Sequence, residues 1–410
     1  MKQTIWLKQD DSEIPDGIYT EQEIYDREID VIFHGRHWNF VGLEAEIPNV
    51  GDYKRSYVGP TPVVVARAKD GTISVFENRC SHRAVEFCRK PLGNNKIFVC
   101  PYHNWSFDLK GNLQGVPFKK GRDGLGGMPA DFRLEDHGLK TLSVTTYKGV
   151  IFASYCSDME SIEEYLAPEI TQCLDTLFNG RRIKIHSYNK HLVKANWKTY
   201  YDNLKDPYHS TILHSYLVVF GLVNMVNRSQ MIVDSNHGIH GVIASAKQAD
   251  SYADNQDIKE EMGTSYFDMK LADEDTMRYI PEDNGGWTAN IITIFPNMIA
   301  HRQLNGLGVR LVVPNGPNEF WVYWTMFGYE DDTEEMTEQR LRHDNIMGPA
   351  GFVGMEDNDV LQFIQEGLTR STMDKTVYKL DMATKGTSNT LISEAAIRSM
   401  YTYYKKIMAL

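Results

Sequence analysis

Two short turns that carry cysteine and histidine constrain this chain more than any other feature. Cys80-Ser81-His82 is followed, after seventeen residues, by Cys100-Pro101-Tyr102-His103. Two thiolates and two imidazoles can hold a zinc ion or an iron–sulfur cluster. Because the turns are separate in sequence, such a site requires a fold that brings them together.

The distribution of these residues separates the two possibilities. Structural zinc sites usually carry their cysteines as one close pair and their histidines as another, whereas each turn here supplies one of each. This mixture favours a Rieske [2Fe–2S] centre, in which histidines replace cysteines on one of the two irons. Zinc is the alternative. The other cysteines, Cys88, Cys156 and Cys173, are interpreted as unreactive free thiols.

The sequence around the turns predicts a small all-β domain. Apolar runs at 63–67 and 73–76 flank Asp70-Gly71 and predict a hairpin, and a second hairpin is predicted at 105–116. The domain is expected to span residues 39–155. The preceding segment, 1–38, is expected to contain a helix that starts at a capping box in Thr20–Glu23, and to pack on the catalytic domain.

Residues 156–410 contain both helical and strand patterns, which predict an α+β catalytic domain. The last third, 334–407, is expected to be largely helical, and a polar stretch at 248–275 is interpreted as a mobile loop or lid. Further helices are expected at 161–178 and 197–217, and strands at 183–193, 288–299, 309–313 and 320–329.

Composition excludes several classes of protein. The 410 residues suit two or three domains, and 43 basic against 55 acidic residues, a net charge of −12, argue against a nucleic-acid partner. No apolar run approaches the roughly 20 residues that span a bilayer, and the N-terminal residues lack the apolar core of a signal peptide. We therefore expect a cytoplasmic protein that does not bind a membrane.

A second group of candidate ligands lies in the predicted catalytic domain. His209 and His214 follow Asp202 and Asp206 in the pattern D-x3-D-x2-H-x4-H. Five residues turn a helix by about 500°, so the histidines share a side only if the helix is broken, and Pro207 can break it. Two imidazoles and one carboxylate form the usual non-heme Fe(II) site.

The third ligand of this site is expected to be a carboxylate from elsewhere in the chain. Asp357 is the best candidate, and its neighbours Glu356 and Asp359 are alternatives.

With both groups of ligands in this order, the chain resembles the large (α) subunits of Rieske non-heme iron aromatic-ring hydroxylating oxygenases over essentially its whole length. It is most similar to the salicylate 5-hydroxylase, anthranilate dioxygenase and terephthalate dioxygenase group. The segments that support this resemblance are 41–48 (VGLEAEIP), 113–118 (LQGVPF), 126–129 (GGMP) and 348–352 (GPAGF).

The resemblance implies a role for each candidate residue. Cys80 and Cys100 would bind one iron of a [2Fe–2S] cluster, and His82 and His103 the other. The mononuclear Fe(II) would be held by His209, His214 and Asp357. Asp206 would bridge this iron site to a cluster histidine of the next subunit, with a locally bonded surface acid as the alternative. Asn203 would face the iron pocket, and Asp202 is a candidate to support His209.

The resemblance also implies a fold and partners. The catalytic domain would be helix-grip-like, an antiparallel sheet with helices, and a small β subunit would complete an α3β3 hexamer. The chain has no GxGxxG nucleotide motif and no four-cysteine ferredoxin spacing. A separate NAD(P)H-dependent reductase and a ferredoxin are therefore expected to supply electrons.

Arg310 suggests the substrate, because it interrupts the apolar strand pattern at 309–313. An arginine there in the resembling terephthalate-type subunits contacts a substrate carboxylate, and a guanidinium fits a carboxylate bidentately. The alternative is a solvent-facing strand residue. No second arginine occurs near 389–392, which favours a monocarboxylate such as salicylate or anthranilate as the substrate that is hydroxylated with O₂.

Other functions remain open at this point. They are hydroxylation of another aromatic or dicarboxylate substrate, electron transfer by a Rieske protein without oxygenase activity, and hydrolysis at a zinc ion bound by the two histidines and the carboxylate. His240, His301 and Tyr266 are further candidates for the pocket lining.

Overall fold

The computed structural model describes residues 6, 11–214, 216, 228–246, 271–283 and 285–410. The chain divides into two compact units. The small unit is Ile32–Ile162, and the large unit combines Met1–Val31 with Glu163–Leu410. The small unit contains the whole of the predicted β domain, 39–155, and the N-terminal segment belongs to the large unit up to Val31.

The small unit is built on a seven-stranded sheet and a three-stranded sheet. The larger sheet has the order β2-β11-β10-β5-β4-β3-β6 and the smaller one the order β7-β8-β9. The predicted hairpin is confirmed, because β4 pairs antiparallel with β5. The strands are β2 (Asn39–Leu43), β3 (Asp52–Val58), β4 (Thr61–Arg67), β5 (Ile73–Glu77), β6 (Leu92–Asn94), β7 (Phe98–Val99), β8 (Ser106–Phe107), β9 (Leu113–Gly115), β10 (Thr141–Tyr147) and β11 (Val150–Ser154).

An aromatic core lies directly beneath the two cysteine turns. The ring of Phe98 packs against Tyr53 at a centroid distance of 5.2 Å and against Phe76 and Phe87 at 5.8 Å. Cys80 and Cys100 belong to the same buried cluster. Burial of these rings therefore fixes the strands from which both turns project.

The large unit is a seven-stranded sheet, in the order β12-β18-β17-β16-β15-β14-β13, in which every neighbouring pair is antiparallel. Together with the helices this confirms the predicted α+β class. The strands are β12 (Ile183–Val193), β13 (Arg228–Val233), β14 (Gly241–Ala246), β15 (Ala289–Ile294), β16 (Met298–Gln303), β17 (Gly306–Pro314) and β18 (Phe320–Tyr329). A two-stranded sheet pairs β1 (Glu13–Pro15) with β19 (Lys375–Val377).

The helices of the large unit lie at the N-terminus, before and after β12, and after β18. The N-terminal ones are α1 (Gly17–Thr20) and α2 (Gln22–Glu28), the latter continued by a π-helical turn, Ile29–Phe33, across the boundary into the small unit. The others are α3 (Ile162–Leu174), α4 (Trp197–Leu204), α5 (Glu334–Met347), α6 (Phe352–Arg370) and α7 (Ala395–Met408).

Three predicted elements differ from the structure. The helix expected at 197–217 ends at Leu204, just before Pro207. The strand expected at 288–299 is two strands, β15 and β16, separated by the turn that contains Pro296, which cannot donate to a ladder hydrogen bond. The expected capping box is wrong, because Glu21 is the N-cap of α2 and the Thr20 hydroxyl donates to the Asp16 carbonyl instead. The segment 248–275 lies largely outside the described residues.

Candidate active site

The two cysteine turns have the same backbone design. In the first turn the Cys80 amide donates to the Val85 carbonyl and the Ala84 amide donates back to Cys80, both at 2.9 Å. In the second turn the Cys100 amide donates to Trp105 at 2.8 Å and the Asn104 amide donates to Cys100 at 3.0 Å.

The fourth residue after each cysteine closes its turn with a positive φ, 57° at Ala84 and 55° at Asn104. The left-handed region reverses the chain sharply, which is why each cysteine and its following histidine can lie on the same side of a turn.

The four side chains converge. The Cys80 and Cys100 thiols are close enough to interact, and both residues are only 1% exposed. The rings of His82 and His103 lie 4.6 Å apart, and Trp105 stacks on His82 at 4.7 Å with an interplanar angle of 4°. The buried Nδ1 of His82 has no hydrogen-bond partner among the described residues. Paired thiols, paired imidazoles and an orphaned ring nitrogen suit a cluster with two cysteine and two histidine ligands.

Burial shapes the titration of this group. Burial raises the pKa of the Cys80 thiol, and the adjacent Cys100 raises it further. Burial also lowers the pKa of His82, with the neighbouring His103 adding to the effect. The surroundings of His82 thus favour its neutral imidazole, which is the form that binds a metal.

The large unit brings together a second set of candidate ligand atoms. One ring nitrogen each of His209 and His214 and a carboxylate oxygen of Asp357 lie within 4.8 Å of one another. Asp357 Oδ1 is 3.2 Å from His214 Nε2 and 3.7 Å from His209 Nε2. Such a set of two imidazoles and one carboxylate suits a ferrous ion with open positions.

The break after α4 produces this convergence. α4 ends at Leu204, and His209 begins a separate 3-10 turn, His209–Thr211. The Pro207 break therefore removes the angular mismatch that a continuous helix would impose on histidines five residues apart.

An acidic side chain lies behind each of the two imidazoles. His214 Nδ1 is 2.7 Å from a carboxylate oxygen of Glu356, so Nδ1 carries the proton and Nε2 faces Asp357. His209 Nδ1 lies 3.5 Å from Asp206 Oδ2, too long for a well-made hydrogen bond, and Asp206 also accepts from the Tyr208 amide at 2.9 Å. The alternative that Glu356 is the metal ligand loses support, because its carboxylate is used on the far side of His214.

Asn203 contacts the candidate ligands, whereas Asp359 does not point into the site. The Asn203 amide donates to Asp357 Oδ1 at 3.1 Å and lies 3.4 Å from His209 Nε2. Asp359, by contrast, is exposed. Burial alone would raise the pKa of Asp357, but His214, His209 and Asn203 hold it below its usual value, so the carboxylate is anionic.

α4 is anchored by buried polar contacts that the sequence did not indicate. The Lys198 ammonium pairs with Glu28 at 2.7 Å, and the Trp197 indole donates to the same carboxylate at 2.9 Å. Asp202 does not support His209. Its Oδ2 accepts hydrogen bonds from Tyr19 at 2.8 Å and Tyr401 at 3.0 Å.

Arg310 lies beside the three-ligand site and is 4% exposed, so it is not a solvent-facing strand residue. Its guanidinium donates to the Tyr200 hydroxyl at 2.8 Å and stacks over Trp324 at 4.0 Å. A small cavity of about 10 Å³ lies between Arg310 and Asp357. Arg310 has no carboxylate partner, and its buried Nε has no hydrogen-bond partner, among the residues described.

Of the three further candidates for the pocket lining, the structure describes His240 and His301. His240 is fully buried, and its nitrogens are occupied by the Tyr165 carbonyl and the Phe295 amide. His301 lies on the same sheet face as Arg310, because the register pairs Ile299 with Arg310 and residues two apart in a strand share a face. Tyr266 lies outside the described residues.

Comparison with known proteins agrees with this geometry. Residues 37–143 match the profile of the Rieske [2Fe-2S] domain, and residues 174–410 match that of the ring hydroxylating alpha subunit (catalytic domain). The large oxygenase component of salicylate 5-hydroxylase from Ralstonia sp is 41% identical over 98% of this chain and 96% of its own length. The anthranilate 1,2-dioxygenase large subunit from Burkholderia cepacia is 38% identical over 97% of this chain and 94% of its own.

A solved structure shows the same fold. Naphthalene 1,2-dioxygenase from Rhodococcus sp., 24% identical, superposes with a TM-score of 0.79 over 97% of this chain and 94% of its own. The class is that of the Rieske non-heme iron oxygenases. Within it, the chain belongs to the ring-hydroxylating alpha-subunit family, so the predicted family, enzyme class and cofactors are confirmed: a Rieske [2Fe–2S] cluster and a mononuclear iron. No described helix has the length and apolar character needed to cross a membrane.

Proposed function

We propose that the chain is a terminal oxygenase subunit that hydroxylates an aromatic monocarboxylic acid with O₂. The observation that carries the substrate assignment is the buried Arg310, which no described carboxylate neutralises. A buried charge without a counter-ion costs several kcal/mol, whereas an arriving carboxylate would form a charge-assisted, bidentate pair with it.

The surroundings of Arg310 hold it at the small cavity that Asp357 also lines. Tyr200 holds one guanidinium nitrogen, and Trp324 covers the flat face. Burial raises the pKa of Tyr200, so it remains a neutral phenol, and both Arg310 and Asp357 act on it electrostatically. An acid bound to Arg310 would therefore present its ring next to the residues that hold the iron.

The cavity indicates where the substrate binds, but it is too small to hold the substrate. A volume of about 10 Å³ holds about one water molecule, so an aromatic acid can enter only if lining side chains move. Met347, an adaptable side chain with several rotatable bonds, forms part of the wall and is suited to such a movement.

Four residues of the small unit and three of the large unit are proposed to hold the metals. They are Cys80, His82, Cys100 and His103 for the cluster, and His209, His214 and Asp357 for the iron. When bound, the iron supplies the site for O₂ and the cluster supplies single electrons. Glu356 orients His214, Asn203 orients Asp357, and Asp206 offers a carboxylate to His209 and to a second imidazole from a neighbouring subunit.

The relatives support an acid substrate, since the named activities of the two described above concern salicylate and anthranilate. The lack of a second arginine near 389–392 disfavours a dicarboxylate. We further propose that a β subunit completes an α3β3 hexamer and that a ferredoxin and an NAD(P)H-dependent reductase deliver electrons.

The test compares benzoate with neutral benzamide in wild-type protein and the Arg310→Gln variant. We expect Arg310→Gln to weaken benzoate binding by about 10- to 100-fold, the value of one charged hydrogen bond, and to leave benzamide binding unchanged. Calorimetry gives both Kd values. Equal benzoate affinity in a folded Arg310→Gln variant would reject the assignment of an acid substrate. Product analysis under ¹⁸O₂ then counts the hydroxyl groups added.

A further inference from the structure

The face of the sheet that carries Arg310 also carries a second polar side chain with no assigned role. β16 and β17 pair Ile299 with Arg310 and His301 with Gly308, so His301 is the diagonal neighbour of Arg310. Both side chains contact the Trp324 ring, Arg310 over its face at 4.0 Å and His301 edge-on at a centroid distance of 5.7 Å.

The strand opposite His301 makes room for its ring. A Cβ atom at position 308 would lie 2.5 Å from His301 Cε1 and 2.9 Å from Nε2, closer than any real contact. Glycine at this position therefore allows the imidazole to lie flat against β17.

The imidazole of His301 is buried without a hydrogen bond. Its relative exposure is 0%, and neither ring nitrogen has a partner among the residues that the structure describes. A buried donor or acceptor left unsatisfied is unfavourable, so a bound molecule that supplies the missing hydrogen bond would be favoured.

Its protonation state is set by its surroundings. Burial holds the pKa of His301 well below its usual value, and the Arg310 charge adds to the effect. The ring is therefore neutral and offers one N–H donor and one acceptor.

We propose that His301 is a specificity-determining residue, which hydrogen-bonds a hydroxyl or amino group on the ring carbon next to the carboxylate that Arg310 binds. The inference rests on the proposed function and names the substrate more narrowly, as an aryl carboxylate with an ortho hydrogen-bonding substituent. As diagonal neighbours on one face of the sheet, His301 and the long side chain of Arg310 can reach two neighbouring substituents of one ring. A neutral imidazole suits either substituent, because it can donate or accept.

The experiment measures Kd by calorimetry on the holoenzyme for benzoate, 2-hydroxybenzoate, 2-aminobenzoate and 3-hydroxybenzoate. We expect wild-type protein to prefer the 2-substituted acids over benzoate by about tenfold, the value of one hydrogen bond. In His301→Leu this preference falls to about one, while the benzoate Kd changes little.

Two further variants keep the test independent of folding. In His301→Asn the side-chain amide can take the position of one ring nitrogen, and in His301→Gln it can take the position of the other. We therefore expect one of these two variants to keep the preference for the 2-substituted acids. The matched control is His186→Leu, because His186 on β12 also has two unpartnered nitrogens among the described residues but lies beside Gly328. All four Kd values should stay unchanged in that control.

The possible failures are distinguishable. If wild-type protein binds none of the acids, the proposed function fails. The role of His301 is wrong, and the acid function stands, if wild-type protein binds all the acids without preferring the 2-substituted ones or prefers 3-hydroxybenzoate. The same conclusion follows if the His301→Leu variant keeps the preference for the 2-substituted acids. Loss of the preference in His186→Leu would equally overturn the assignment to His301.

Discussion

The two proposed ligand sets of this protein are built in opposite ways. The small unit places its ligands on two turns of equal backbone design, with buried thiols and partly exposed imidazoles. The large unit assembles its ligands from the segment after α4 and from α6, and the His214 and Asp357 side chains are 4% and 8% exposed. One site is therefore a property of local turns, whereas the other depends on packing between distant segments.

This difference predicts different sensitivities to distant substitutions. The turns of the small unit satisfy their own backbone hydrogen bonds within six residues. The histidines of the large unit rely on side chains such as Glu356 and Asn203, and α4 relies on Glu28. Losing an orienting side chain should affect the iron site and leave the cluster untouched.

The largest expected effect of this kind is in Glu356→Gln. Its loss weakens the orientation of His214, and loss of a group that orients a metal ligand typically lowers metal affinity 10- to 100-fold. We expect iron affinity, measured by competition with a chelator, to fall by about this factor, with the visible cluster spectrum unchanged.

Asp359→Asn is the matched control, because Asp359 is an exposed acid on the same helix. Its iron affinity should equal that of wild-type protein. An equal loss of iron affinity in both variants would mean that the negative charge near the site, rather than the Glu356–His214 contact, determines iron binding.

A smaller effect is expected at Asp344 on α5. Burial raises the pKa of this carboxyl to about 8, with Arg340 opposing the shift. Because the pKa is raised relative to roughly 3.9 in the unfolded chain, the associated stability is complete below about pH 4 and is lost as pH rises toward 8. Asp344→Asn should remove this loss.

The measurement is the change in Tm between pH 5.5 and pH 8. Wild-type protein should lose about 5 °C more than Asp344→Asn over this range. Burial also raises the pKa of Asp202 to about 7, so part of the decline remains in the variant. Identical pH profiles for the two proteins would show that Asp344 is ionised in the fold. The comparison bears on the difference between the two units, because it measures how much the buried carboxyl of Asp344 destabilises the large unit as pH rises.

The same contrast explains what the sequence could predict. The cysteine and histidine turns were recognisable because their spacing is local. Around residue 357 the sequence offers three acids, with Asp357 as the best candidate, and the resemblance to the family supports that choice. In the structure successive residues of α6 point about 100° apart, which directs Asp357 inward, Glu356 behind His214 and Asp359 to solvent.

Other features had no local signal. The tyrosines that bind Asp202 come from positions 19 and 401, and no pattern around residue 202 indicates them. The burial of Arg310 depends on Tyr200 and Trp324, which come from a helix and a different strand. Long-range packing decides such contacts, so they became visible only in the fold.

The most direct test of the two separate ligand sets is metal content and electron paramagnetic resonance of two variants, His214→Ala and Cys100→Ser, prepared with excess iron without oxygen. We predict that His214→Ala loses only the mononuclear iron and keeps the signal of the reduced Rieske cluster, while Cys100→Ser loses the cluster and keeps the mononuclear iron. An intact iron content in His214→Ala, or loss of the cluster signal from it, would contradict the account.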